Sequence, residues 1–441
     1  MAQATFEFPK GFMWGTATSS HQVEGRNTNN NWYRWEEEGH IIPGHNCGLA
    51  CDWWGGRWRE DFDRAVEGGQ NAHRLSLEWS RIQPTPDRWD EDALNYYRQM
   101  IRGLCDRGMT PMVTLHHFTD PIWIMEEGGW DNEKTVEHFR TYVEKAVSAL
   151  KEYVTLWCTI NEPNVYAAMG YLTGEFPPGK QDLASTFQVM INLAKGHAAA
   201  YHAIHKIQAE AEVGLVVNYR SMVPNRAWFP LDGLVAGIQS RTYNDFFPHA
   251  AATGQLNIPF KRQSLPEVKG TQDFLGINYY TQDLVSFSIM AAKELFGKRF
   301  FDPNAEVSET GFIANHPLGL FEALKWGRQF NVPLIVTENG VEDSSDKLRP
   351  PYLTEHIHQM WRGINFNWQV KGYFHWSLVD NFEWERGWTQ RFGLWELDPT
   401  SQTRTRRASA DLYAEICRNN ALSSEMVAKY APTVMEKLFP G

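Results

Sequence analysis

The sequence predicts an α/β protein, a single (β/α)8 TIM barrel with long βα loops on one face. Three observations predict it. Short apolar runs alternate with longer stretches of helical periodicity, the runs number eight, and no low-complexity stretch, Gly/Ser linker or charge block divides the 441 residues. Strands alternating with helices indicate βαβ units and a parallel sheet. Eight units in one undivided chain suit a closed barrel better than an open doubly wound sheet. One domain over residues 1–441 is therefore expected.

The elements follow in order. The strand candidates are "GFMWGTATS" (11–19), "NAHRLSLEW" (71–79), "TPMVTLHHF" (110–118), "LWCTINEP" (156–163), "EVGLVVNYR" (212–220), "DFLGINYYT" (273–281), "PLIVTENG" (333–340) and "KGYFHWSLV" (371–379). Between them, 57–68, 90–107, 132–154, 183–208, 232–250, 317–330 and 352–368 read as helices. The clearest is 132–154, where Val136, Phe139, Val143, Ala146, Val147, Leu150 and Val154 recur at spacings of three and four. Asp131 is its expected N-cap. What exceeds the roughly 250 residues of a minimal barrel falls in three loops, 19–57, 282–316 and 380–408.

Composition narrows the function. Hydrophobic residues at 42% and charged residues at 22% are those of a globular protein. A net charge of −11 argues against a nucleic-acid or anionic-membrane partner, since both demand a basic surface. No run of about 18 apolar residues could span a bilayer. "MAQATFEFPKGF" lacks the basic and apolar regions of a secretory signal. The five cysteines, Cys47, Cys51, Cys105, Cys158 and Cys417, are odd in number and sparse, which suggests reduced thiols and a cytoplasmic location. Cys47 and Cys51 could be half a metal site, but no second pair lies near. The Gly pairs at 55–56, 68–69 and 128–129 read as turns, not as a phosphate loop. The 19 Trp residues imply a well-filled core and, in part, platforms for ring-shaped ligands such as sugars.

Chemically capable residues gather where the runs end: Glu78, His117, Asn161 with Glu162, Asn218, Asn278 with Tyr280, Glu338, and Trp376 with Ser377. In such barrels that rim carries the active site. "TINEP" and "TENG" put Glu162 and Glu338 on it together. Two carboxyls facing one cleft suit glycoside hydrolysis, one protonating the leaving oxygen while the other attacks the anomeric carbon or activates water. The acid needs a neighbouring carboxylate to hold its proton, and the nucleophile needs a cation and a hydroxyl donor to stay ionised. Arg74 and Tyr280 are suitable for the second task. Each Glu alone could be a strand-end cap or ion-pair partner, but matched positions beside Asn disfavour that. "HH" at 116–117 could suggest a metal pair. Adjacent strand residues face opposite ways, however, so only one histidine faces the interior. Neither metal nor cofactor is expected.

With these motifs in view, the chain resembles glycoside hydrolase family 1, the β-glucosidase-type retaining enzymes. "TINEP" and "IVTENG" resemble its two signature segments, and "GFMWGTATSSHQVEG", "LEWSRIQP", "VTLHHFTDP", "FLGINYYT" and "WSLVDNFEW" followed by "RFGL" agree in order, from about residue 8 to 418. The resemblance implies that Glu162 is the general acid/base and Glu338 the nucleophile, with Asn161 bonding the sugar 2-hydroxyl. Gln22, His117, Glu383 and Trp384 would bond the other hydroxyls, and Trp376 would be the platform beneath the ring. Arg74, Asn278 and Tyr280 would shape and hold the nucleophile. The expected partners are β-glucosides and short β-linked oligosaccharides such as cellobiose, with galactosides and fucosides also admissible.

Glu162 stands where the myrosinase-like branch has Gln, and Glu383 with Trp384 stand where the phospho-β-glucosidase branch has a Ser that receives phosphate. The first implies that no external base is needed, and the second favours a non-phosphorylated glycone. Three positions depart from the family pattern: Phe118 and Phe312 stand where Trp is usual, and Asn164 where a bulky residue is. A more polar or open aglycone side is expected from Asn164. A transglycosylase of the same mechanism and a non-catalytic sugar-binding barrel are the rival readings.

Overall fold

Eight β-branched and aliphatic runs lie side by side and in parallel, and the eighth returns to pair with the first. The computed structural model describes residues 4–258 and 261–440. The staves are β1 (Met13–Ala17), β2 (Ala72–Ser76), β3 (Thr110–His116), β4 (Leu156–Asn161), β5 (Glu212–Pro224), β6 (Phe274–Phe287), β7 (Leu334–Asn339) and β8 (Val370–His375). Each pairs with the next in parallel register, and β8 with β1 closes the ring through Gly372–Met13 to His375–Thr16.

Side chains alternate across each stave, as a pleat requires. Ala17, Ala72, Met112, Cys158, Val216, Phe274, Ile335 and Phe374 fill the barrel interior. Their neighbours Leu75, Val113, Leu115, Trp157, Leu215 and Val336 turn outward into a second core. The helices that cover it are α1 (Trp58–Glu67), α2 (Glu91–Cys105), α3 (Lys134–Leu150), α4 (Leu183–Ile207), α5 (Phe246–Thr253), α6 (Leu318–Gly327), α7 (Arg349–Asn365) and α8 (Ala408–Asn419). In α3 Phe139, Val143, Ala146, Val147 and Leu150 of the expected stripe are buried, Thr135 and Tyr142 join them, and Val136 is half-buried.

All eight expected staves are present, and the architecture is the expected barrel. Four expectations about elements need correction. The helix expected over 232–250 is two, Pro230–Ser240 and α5, joined by a π-turn at Arg241–Asp245. The stretch 282–287, expected as loop, continues β6, and Gly297–Phe300 folds back on it antiparallel. Asp131 does not cap α3. It closes a 3-10 turn and binds Lys180 of a later loop and Ser185 in the first turn of α4, because a cation and a hydroxyl distant in sequence outcompete the local amide. Finally, α8 has no counterpart among the expected helices.

At the barrel floor, Thr5–Glu7 pairs antiparallel with Ala421–Ser423. Phe6 stacks on Phe439 at 4.5 Å and lies 4.4 Å from Trp361 of α7. Among the described residues no helix is long and apolar enough to cross a membrane.

Candidate active site

The end of β4 bends sharply. Glu162 adopts a left-handed backbone, φ 44° and ψ 56°, and Pro163 then opens the short helix Pro163–Ala167. A left-handed residue other than Gly or Asn costs about 1–2 kcal/mol, so the surroundings must hold it. The turn aims the Glu162 carboxyl over the barrel mouth while its own amide stays bonded to the Val216 carbonyl. Across the mouth, β7 delivers Glu338, and Gly340 lets the chain pass β8: a Cβ there would lie 2.0 Å from the Trp376 carbonyl oxygen.

The two carboxyls have unlike partners. Glu338 Oε1 accepts from Arg74 Nη1 at 2.5 Å, and Oε2 accepts from the Tyr280 hydroxyl at 2.7 Å. Burial raises Glu338 above the ordinary carboxylate range, and Arg74 and Tyr280 offset part of that rise. Glu162 Oε1 accepts only neutral amides, Asn218 Nδ2 at 2.9 Å and Asn278 Nδ2 at 2.8 Å. Burial first, and then the charge of Glu338, push it up to about 8. At neutral pH Glu162 therefore holds a proton, while Glu338 has a cation and a hydroxyl stabilising its charge.

A second set of bonds orients the amides. Asn161 Oδ1 accepts from Arg74 Nη2 at 2.6 Å and from Asn278 Nδ2 at 3.2 Å, so its Nδ2 turns toward His117 Nε2, 3.0 Å away. His117 is kept uncharged, well below its ordinary pKa, by burial and by Arg74. The Thr337 hydroxyl donates to Asn278 Oδ1 at 2.6 Å, which assigns the other end of that amide as donor to both Glu162 and Asn161. Asn218 is the group that site selection from the sequence passed over. Its strand-end amide was the visible signal, and Tyr243, which donates to Asn218 Oδ1 at 3.1 Å, had none.

The wall opposite Glu162 comes from the loops after β1 and β8. Gln22 Nε2 donates to Glu383 Oε2 at 3.0 Å and to the Phe382 carbonyl at 2.8 Å, and its Oε1 accepts from Ser19 at 2.7 Å. Burial first, then Glu385 and Glu338, push the Glu383 carboxyl well up. Trp384 lies over His21, 5.9 Å between centroids and 12° between planes, with Phe118 edge-on at 5.2 Å. Trp376 lies 6.0 Å from His117. All ten expected site residues and Arg74 thus surround or support one barrel mouth.

Other rim residues do different work. Glu78 is fully buried and accepts from Ser20 and Ser80, and Ser377 bonds the Val379 carbonyl, so both brace loops. His116 turns outward to Asp120, as alternation demands. Among the described residues, His21, Glu36 and Cys47 bring three metal-ligand atoms within 4.8 Å. Their bonding fits a hydrogen-bonded cluster instead. Asn30 Oδ1 already accepts from Tyr33, so its Nδ2 donates to His21 Nδ1, and the remaining ring N–H points at Glu36.

A cavity of about 840 Å³ opens above the carboxyls, several times the room one sugar ring needs. Asn164 is among the residues that line it, and its Nδ2 donates to the Asn218 and Tyr243 carbonyls at 2.8 and 3.2 Å.

Comparison with known proteins agrees with this geometry. The description of glycosyl hydrolase family 1 matches residues 4–422. Beta-glucosidase A of Thermotoga maritima is 32% identical over 94% of this chain and 99% of its own. A beta-galactosidase of Pyrococcus woesei is 30% identical over 95% of this chain and 98% of its own. The solved structure of a beta-glycosidase from Pyrococcus horikoshii covers 97% of this chain and 98% of its own at 37% identity, with a TM-score of 0.91.

Proposed function

Because the chain belongs to glycosyl hydrolase family 1, a family of retaining enzymes, we propose that it hydrolyses terminal β-D-glucosyl residues through a covalent intermediate on Glu338, with Glu162 as acid and then base. The observation that carries the reading is the contrast between the two carboxyls. Glu338 is held by Arg74 and Tyr280, while Glu162, pushed up to about 8, keeps a proton to give.

The chemistry follows in two steps. Glu338 attacks the anomeric carbon, the bond to the aglycone oxygen breaks, and the Glu162 proton goes to that oxygen. The ester now on Glu338 carries no charge. The repulsion that helped keep Glu162 protonated is gone, so its pKa falls and it is ready to take a proton from water. Water then attacks the anomeric carbon, Glu338 leaves as carboxylate, and Glu162 is protonated again. The Asn161 amide, oriented by Arg74, supports a role on the sugar 2-hydroxyl, where a bond that strengthens as charge develops lowers the barrier. Gln22, His117, Glu383 and Trp384 are proposed to hold the remaining hydroxyls, above Trp376.

The whole chain is read as one catalytic unit acting on β-glucosides and short β-linked oligosaccharides such as cellobiose. Galactosides are admissible, since a carboxyl at Glu383 can accept from hydroxyls of either configuration. The sparse, odd cysteine set keeps the cytoplasm as the proposed place of work.

The test is peptide mass after incubation with an activated 2-deoxy-2-fluoro-β-glucoside, whose fluorine slows breakdown of the adduct. A one-sugar gain on the peptide holding "IVTENG" is expected. Turnover of the parent aryl glucoside with no adduct would overturn the covalent role of Glu338. Adduct with the galacto analogue alone would overturn the glucosyl preference.

A further inference from the structure

The two amides that meet Glu162 are not equivalent. Asn278 divides its Nδ2 between Glu162 at 2.8 Å and Asn161 at 3.2 Å, and it also steadies the charge of Glu338. Asn218 Nδ2 bonds Glu162 alone among the described residues, at 2.9 Å. Behind it stands the Tyr243 hydroxyl, whose one bond among the described residues goes to Asn218 Oδ1 at 3.1 Å. Burial first, and then the charge of Glu162, push that phenol up from its ordinary pKa, so it remains a donor.

The backbone around this arm is clamped from both sides. Tyr243 lies in the π-turn Arg241–Asp245, a widened form of helix that recurs at functional sites. Its neighbour Asn244 accepts from the Arg220 amide at 2.9 Å and donates to the Arg220 carbonyl at 2.9 Å, which pins the turn to β5 two residues past Asn218. Asn164 clamps the other side. Its Oδ1 accepts from the Asn218 amide at 3.4 Å, and its Nδ2 donates to the Asn218 and Tyr243 carbonyls. No apolar side chain at 164 could make these three bonds. The spacing between Tyr243 and Asn218 is therefore fixed by the backbone on each side of it.

We propose that Tyr243 is a positioning residue for the second chemical step: through Asn218 it favours the ionised Glu162 that takes a proton from water. In the first step Glu162 needs its proton, and a bond that stabilises its charge works against keeping it. In the second step the need reverses. Water attacks the anomeric carbon, one of its protons goes to Glu162, and the bond to Glu338 breaks with its electron pair on the carboxylate. Only an ionised Glu162 can take that proton, and an amide N–H held on Oε1 keeps it ionised. The arm therefore belongs to the base and not to the acid. The inference rests on Glu162 as acid and then base.

The experiment separates the two steps with 2,4-dinitrophenyl 2-deoxy-2-fluoro-β-glucoside. Loss of activity on mixing reads the first step, which this leaving group completes without a proton. Return of activity after the excess is removed reads the second. In Tyr243→Phe, reactivation on the acid side of its pH profile should slow about three- to tenfold, as the ionised fraction of Glu162 falls. It should recover toward the parent rate as pH rises, and inactivation should change by less than about twofold. Reactivation is a rate constant of the trapped sites alone, so partial loss of folded protein does not affect it. Asn218→Ala should slow it at least as much, and Tyr243→Phe added to Asn218→Ala should change nothing further. Equal slowing of both steps, slowing that is the same at every pH, or further slowing in the double variant would overturn the proposal. The two readings fail separately. No adduct in the parent protein, or reactivation untouched in Glu162→Gln, overturns the reading beneath. Reactivation slowed in Glu162→Gln but not in Tyr243→Phe overturns only the role of Tyr243.

Discussion

At the scale of single residues, the two carboxyls make predictions of opposite sign. Glu162 must be protonated to act, so kcat/KM should fall as pH rises through about 8, the value set by burial and by Glu338. Glu338 must be ionised, so kcat/KM should fall on the acid side as it takes up a proton. Glu162→Gln should remove the basic limb. It should also cut kcat/KM by about 10²- to 10⁴-fold for alkyl glucosides and cellobiose, whose leaving groups need the proton, and by less for activated aryl glucosides. A basic limb that persists in this variant would assign that limb to another group. Tyr280→Phe takes one donor from the Glu338 carboxylate. A hydrogen bond to a charged group contributes about 1.5–3 kcal/mol, so kcat/KM should drop about 10- to 150-fold and the acid limb should move to higher pH. A pH profile of the two variants beside the parent protein checks all of this.

At the scale of elements, close approach decides what the loops and helices can tolerate. Gly319 in α6 faces the Tyr279 ring of β6: a Cβ there would lie 1.9 Å from the hydroxyl that donates to the His316 carbonyl. Gly319→Ala should gain about 1 kcal/mol of helix propensity and lose more than that to the clash, for a net cost of about 1–3 kcal/mol in urea unfolding. A stabilised variant would show that the ring moves freely. The same scale shows what was legible in the sequence. The eight staves were visible because buried parallel strands are continuous apolar runs closed by turn residues. The α8 stripe, Leu412, Tyr413, Ile416 and Cys417, was equally periodic but followed a long loop that absorbed it. The extension of β6 past the barrel was not legible, since its pairing with Gly297–Phe300 is a tertiary choice. Asp131 failed as a cap for a related reason: Lys180, from a loop, and Ser185, from the first turn of α4, reach it from about fifty residues away in sequence.

At the scale of the whole molecule, the mouth and the floor divide the labour. The floor clasp joins Phe6, Trp361 and Phe439, and the C-terminal helices add buried Met426, Val427, Met435 and Leu438. Deleting residues 424–441 should lower unfolding stability by several kcal/mol, on the order of 3, while kcat/KM for methyl β-glucoside changes by less than about threefold. Loss of activity in protein that remains folded would show that floor and mouth are coupled. Most of the mouth was readable because each catalytic side chain stands at a strand end with its motif around it. Asn218 was visible there too but its partner Tyr243 was not, since a tyrosine within a helical stretch declares its role only through what surrounds it. One link crosses the whole interior. Arg74 on β2 holds Glu338 of β7 and Asn161 of β4 with a single guanidinium. For a lineage under mutation, that makes three distant stretches of gene one inherited unit. A change at any of the three meets selection at the other two, so drift among descendants should reach the outer helices long before it reaches this node.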